Sequence, residues 1–178
     1  MHLMAQLPRN HNRIIFHNKN LGESNTNNVT NLYEYIEPCQ NIFLKMDIEG
    51  HEFRVMPSII QNNLMHKIKQ LVIEIHSPAD IEMFPSYFQG LQDIDNHTML
   101  NKINKTHTLV HFHANNACKM QKINNIHLPH VFELTYIRND FVNEKIQNTE
   151  SLPTKLDMKN IEGGIDYILQ GFPYSKIC

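Results

Sequence analysis

The chain has no tryptophan, six glycines and three cysteines among 178 residues. Cys39, Cys118 and Cys178 lie far apart and form no CxxC pair. An odd, scattered set excludes a disulfide framework and a thiolate zinc centre, and reads as reduced thiols. The glycines build no GxGxxG turn, so the fingerprint that lets a backbone approach a dinucleotide is missing. Apolar runs never reach the roughly 18 residues that a membrane-spanning helix needs. Met1 to Asn12 is polar and basic without an apolar stretch, so no secretory signal is visible and the expected compartment is cytoplasmic.

Charge is also scarce. Charged residues make up 19% of the chain, the net charge is -2 and the pI is near 6.6. Lys and Arg are dispersed and not interleaved with aromatics, which argues against a nucleic-acid partner. What is present is apolar: the 41% hydrophobic content argues against disorder, and the length suffices for one domain with a real core. Residues 1–178 are therefore expected to form a single domain. Asn and Ile together supply about a quarter of the residues. Their codons are rich in A and T, so the Asn clusters read as the bias of an AT-rich genome rather than as function.

Periodicity places the elements. Arg13 to His17 reads as a short strand, Asn18 to Thr30 as a loop, and Val29 to Glu37 as a short helix ended by Pro38. Ile42 to Ile48 is a nearly continuous apolar run, as expected of a strand buried on both faces of a parallel sheet. A helical stripe of Phe53, Met56, Ile60 and Leu64 follows, with Pro57 in its first turn or kinking it. Leu71 to His76 is a second strand, stopped by Ser77-Pro78. This strand–helix–strand order predicts an α/β fold. Ala79 to Lys105 reads as helical or irregular, with Met99, Leu100 and Ile103 on one face. Thr108 to His113 and Val131 to Ile137 are further strands, separated by a polar loop at Asn115 to Asn125. Residues 138–178 carry little periodicity and are expected to wrap the domain as a C-terminal tail.

Ligands of open α/β sheets bind beyond the carboxyl ends of the strands. Here those ends carry Asp47 and Glu49, then Glu74 and His76, then His111, His113, Asn115 and Asn116. If the strands are neighbours and parallel, these groups share one rim, and residues two apart share a face. A carboxylate beside an imidazole orients and moves a substrate proton. Asp47, His76 and His113 are also the residues from which a metal site would be drawn. No HxxxH helix or tight ligand motif accompanies them, so no metal is expected. No GxSxG elbow occurs, and nothing marks Cys118 as activated.

The segment Phe43-Leu44-Lys45-Met46-Asp47-Ile48-Glu49-Gly50-His51-Glu52 resembles the LK(I/M)D(I/V)EGxE signature of the FkbM-like methyltransferases, which use S-adenosylmethionine (SAM). Further segments resemble that family in order. They are Leu71 to His76, Val110 to Asn116, Leu128-Pro129 through Phe132 to Tyr136, Leu152-Pro153 with Asp157, and Phe172-Pro173-Tyr174. The resemblance runs from about residue 13 to residue 178. It implies a Rossmann-like methyltransferase sheet of seven strands in the order 3-2-1-4-5-7-6, with the last antiparallel. Arg13 to His17 would be its third strand, Ile42 to Ile48 its fourth, Leu71 to His76 its fifth, Thr108 to His113 its sixth and Val131 to Ile137 its seventh.

The glycine turn after the first strand and the acidic end of the second have no counterpart here. The sheet is thus expected to be N-terminally truncated, and the residues that would bind SAM are unknown. With no first strand, the edge of the fourth is expected to be covered by Arg13 to His17, by a protein partner or by a second copy of the chain. The resemblance implies O-methyl transfer to a small-molecule or sugar-like acceptor. Asp47 and Glu49 would be the catalytic residues, and His76, His113, Asn115 and Asn116 would bind the acceptor. The alternatives are a non-catalytic remnant or partner subunit that keeps only the acceptor half and, on an unrelated sheet, a metal-dependent hydrolase.

Overall fold

The computed structural model describes residues 13–90 and 96–176. Its first elements are slight. Strands β1 (Asn20–Leu21) and β2 (Val29–Thr30) pair in parallel as a separate two-stranded sheet, and helix α1 (Tyr33–Ile36) is one turn long. Arg13 to His17 is not a strand, which corrects the expectation for that segment. It joins no β-ladder among the described residues, and Ile14, Ile15 and Phe16 are all exposed. An apolar run without a partner edge has neither ladder hydrogen bonds nor burial to hold it extended.

The following residues build the main layer. Strand β3 (Ile42–Met46), helix α2 (Glu52–Gln61), a 3-10 turn at Met65–Lys67 and strand β4 (Ile68–His76) follow in order, and β3 pairs with β4 in parallel. Pro57 lies inside α2. The stretch read as helical or irregular splits into α3 (Pro78–Met83) and α4 (Asn96–Thr106). Strand β5 (His107–Ala114) comes next. The expected polar loop is largely a hairpin, β6 (Met120–Ile123) and β7 (Ile126–Pro129), and strand β8 (Val131–Arg138) closes the sheet. Asn124 and Asn125 turn that hairpin with φ of 47° and 70°. Two consecutive left-handed residues make the tight primed turn that Asn tolerates well.

The strand order is β3-β4-β8-β5. Strand β8 is antiparallel to both neighbours, so β3, β4 and β5 all point the same way. The rim expected from the sequence is therefore shared, although β8 separates β4 from β5. The architecture is a mixed α/β arrangement with a mixed sheet and few helices.

One face of the sheet is the core. Leu71, Ile73 and Ile75 of β4 and Leu134 and Tyr136 of β8 pack with Phe53, Val55, Met56 and Ile59 of α2 and Met99 and Ile103 of α4. Fully burying one such side chain is worth about 1.5–3 kcal/mol. The opposite face is polar toward the rim: the register sets Glu74 opposite Glu133, and Glu133 opposite His113. Burial of β3 on both faces is not observed. It lies at the sheet edge, and Phe43, on the face away from the helices, is 61% exposed. Among the described residues, no helix is long and apolar enough to cross a membrane.

The tail returns to the sheet. Leu152 and Leu169 bridge each other and bury with Ala114, joined by Phe112 and Tyr174. Asp157 accepts a 2.6 Å hydrogen bond from His111 Nε2, and the Tyr167 hydroxyl donates to the Cys118 carbonyl.

Candidate functional site

Three short local structures deliver the rim side chains. After β3 the chain reverses through Glu49 and Gly50, at φ of 58° and 86°. Glycine meets the second value freely, while Glu49 is an unusual non-glycine residue in the left-handed region. The turn is tied by Glu52, at the start of α2, whose Oε1 accepts the Ile48 N–H at 2.6 Å. Strand β4 supplies Glu74 and His76 two residues apart on one face. Ser77 then caps α3, accepting the Asp80 N–H, with Pro78 in the first helical turn. That cap brings Asp80, four residues after His76, to the edge of its ring.

His76 is the centre of the arrangement. Its Nδ1 donates to Asp80 Oδ2 at 2.8 Å, and its ring leans on Phe88 with centroids 5.1 Å apart. Its Nε2 faces Glu74 Oε2 at 3.5 Å and Glu49 Oε2 at 3.7 Å. Burial alone lowers the basicity of the imidazole, but the carboxylates of Glu74 and Asp80 outweigh it and raise its pKa to about 9. Glu74 responds in the opposite sense. Burial raises it, while His76 and the Asn115 amide, which donates to Oε1 at 3.0 Å, hold it below the usual carboxylate range. Asp47 is raised, first by partial burial and then by facing Glu74, against the pull of Lys45 at 3.4 Å. Glu52 is wholly buried, which raises its pKa, and its Oε2 has no partner among the described residues.

The structure thus brings Asp47, Glu49, Glu74, His76 and Asn115 together. His113 sits along the same face of the sheet, its Nε2 3.9 Å from Asp166 of the tail. Asn116 is engaged elsewhere: its amide donates to the Ile161 carbonyl and accepts the Ile161 N–H, fastening the tail. His111 likewise belongs to the tail contact. Asp80, Glu52 and His130 escaped the sequence reading. His130, just before β8, brings Nδ1 to 3.9 Å from Asp80 Oδ1. A Ser-Pro-x-Asp sequence following a strand was the available signal for Asp80. Cys118 has its thiol pKa raised, by burial first and then by nearby carboxylates, opposite in sense to the shift that activates a thiol.

Clefts of about 650 and 640 Å³ lie at Arg54 with Pro57 and at Glu150 with Gln170, and no rim residue lines either. The rim is thus singled out by its chemistry rather than by its volume. No family model, curated protein or solved structure matches the chain.

Proposed function

We propose that the chain is a SAM-dependent methyltransferase-like protein acting on oxygen of a small-molecule or sugar-like acceptor. The acceptor would sit at the carboxyl ends of β3 and β4. The observation that carries this reading is the order β3-β4-β8-β5 with β8 alone reversed. It corresponds to the 4-5-7-6 half of the sheet that the FkbM-like resemblance implies. In this reading an acceptor hydroxyl loses its proton to Asp47, whose raised pKa suits a proton acceptor better than an ordinary carboxylate. Glu49, 62% exposed at its side chain, lies at the mouth and orients the acceptor.

The residues that would cradle SAM do not fit that cofactor. Among the described residues no strand pairs with the outer edge of β3. Gly22 does follow β1, but β1 belongs to the separate sheet, and a Cβ on Gly22 would meet Val29 Cγ1 at 2.7 Å. That glycine answers a packing need. The same observation favours a second reading, a non-catalytic partner subunit or remnant that retains the acceptor half, with a protein partner or a second copy along β3.

Isothermal titration of the full chain with SAM and with its demethylated product separates the two. Micromolar binding supports the enzyme. Absence of heat with both compounds overturns it and leaves the binding subunit.

A further inference from the structure

The ring of His76 is fixed by Asp80 and Phe88, so the aim of Nε2 is set by the fold. That atom is buried, in a residue 5% exposed, and has no hydrogen-bond partner among the described residues. The oxygens it faces, at 3.5 and 3.7 Å, are too far for a charge-assisted N–H···O bond, which spans about 2.7–2.9 Å. They suit a shared ion instead. A cation about 2.0–2.1 Å from each nitrogen and oxygen ligand, at tetrahedral angles, holds neighbouring ligand atoms roughly 3.4 Å apart. One donor atom from each of Glu49, Glu74 and His76 falls within 4.8 Å of the others, the one group of this kind among the described residues.

We propose that His76 Nε2, Glu74 and Glu49 together bind a divalent transition-metal ion of the Mn²⁺ or Zn²⁺ type. Three observations converge on it: the orphaned nitrogen, the spacing, and the 2.8 Å bond from Nδ1 to Asp80. A carboxylate on the far ring nitrogen is the usual second partner of a metal-bound histidine, fixing its tautomer and orientation. One imidazole with two carboxylates suits these ions better than Ca²⁺ or Mg²⁺, which favour all-oxygen shells. Glu74 is held from behind by Asn115, whereas Glu49 is the exposed ligand and leaves the outward position open. Asp47, His76 and His113, the trio suggested by the sequence, is not the one that converges.

The site does not depend on the transferase reading and is tested with the metal alone. The full chain, stripped with a chelator, is titrated with MnCl₂ by electron paramagnetic resonance of the free ion and with ZnCl₂ against a competing chelator. One ion per chain in the micromolar range is expected. Asp80→Asn weakens it about 10-fold or more. Glu49→Gln, at an exposed position that leaves the circular dichroism unchanged, weakens it at least as much. Binding of neither ion in that range, or binding that Glu49→Gln leaves unchanged, overturns the proposal.

Discussion

Asn115 is where a structural role and an acceptor-binding role make different forecasts. Both ends of its amide are occupied: Nδ2 donates to Glu74 Oε1 at 3.0 Å, and Oδ1 accepts the Ala117 N–H at 2.9 Å. The Glu74 side chain is 8% exposed, so water replaces a lost donor poorly. A hydrogen bond to a charged group contributes about 1.5–3 kcal/mol. The turn bond resembles a helix cap, whose loss costs about 1 kcal/mol. Asn115→Ala is therefore expected to destabilise the chain by about 2–4 kcal/mol. A double-mutant cycle with Glu74→Ala isolates the pair, since effects of each residue on third groups cancel. The coupling energy is expected at about 1.5–3 kcal/mol, measured by urea unfolding at pH 7. A coupling below about 0.5 kcal/mol, within the usual additivity error, refutes the reasoning and returns Asn115 to the acceptor.

Three further outcomes follow from the packing and charge described above. Leu71→Ala, at a fully buried position, is expected to lose about 2–5 kcal/mol in the same assay, whereas Phe43→Ala, 61% exposed, changes stability by no more than about 0.5 kcal/mol. Burial raises the Asp157 carboxyl, but hydrogen bonds from Thr154 and the charge of His111 outweigh it, so its pKa lies below the ordinary value. Its contribution is thus present above the unfolded value near 3.8 and fades as pH falls through the lower folded one. Limited proteolysis across that window should find the tail released earlier in wild type than at neutral pH, with Asp157→Asn already loosened at pH 7. At the hairpin turn, Asn125→Ala is expected to cost about 1 kcal/mol because φ is 70°, whereas Asn125→Gly is neutral or stabilising in thermal melts.

Residues with strong local signals announced their structure. The β-branched runs at Leu71 to Ile75 and Val131 to Ile137 are strands, and the polar carboxyl ends of β3, β4 and β5 do share one rim. Pairing order is non-local, so nothing in either run says that β8 separates β4 from β5. The β6–β7 hairpin was hidden by composition: Asn124-Asn125 looks like one more Asn cluster until its backbone shows two left-handed residues. Ile42 to Ile48 looked buried on both faces because periodicity cannot see that a strand lies at an edge. In the site, Glu74, His76 and Asn115 were legible from strand ends. Asp80 was not, because it reaches His76 only after a helix cap turns the chain back. Glu52 stood out only as the last residue of the signature segment, and nothing local shows that the fold buries it completely.

The insertion of β8 between two earlier strands also has a consequence for biogenesis. On a ribosome, β4 emerges well before the strand that will zip against it, since His76 pairs with Val131. Until then one margin of β4 is open, and its nascent backbone amides are a template for a neighbouring nascent chain. Expression yield should depend on how fast the stretch between these strands is translated.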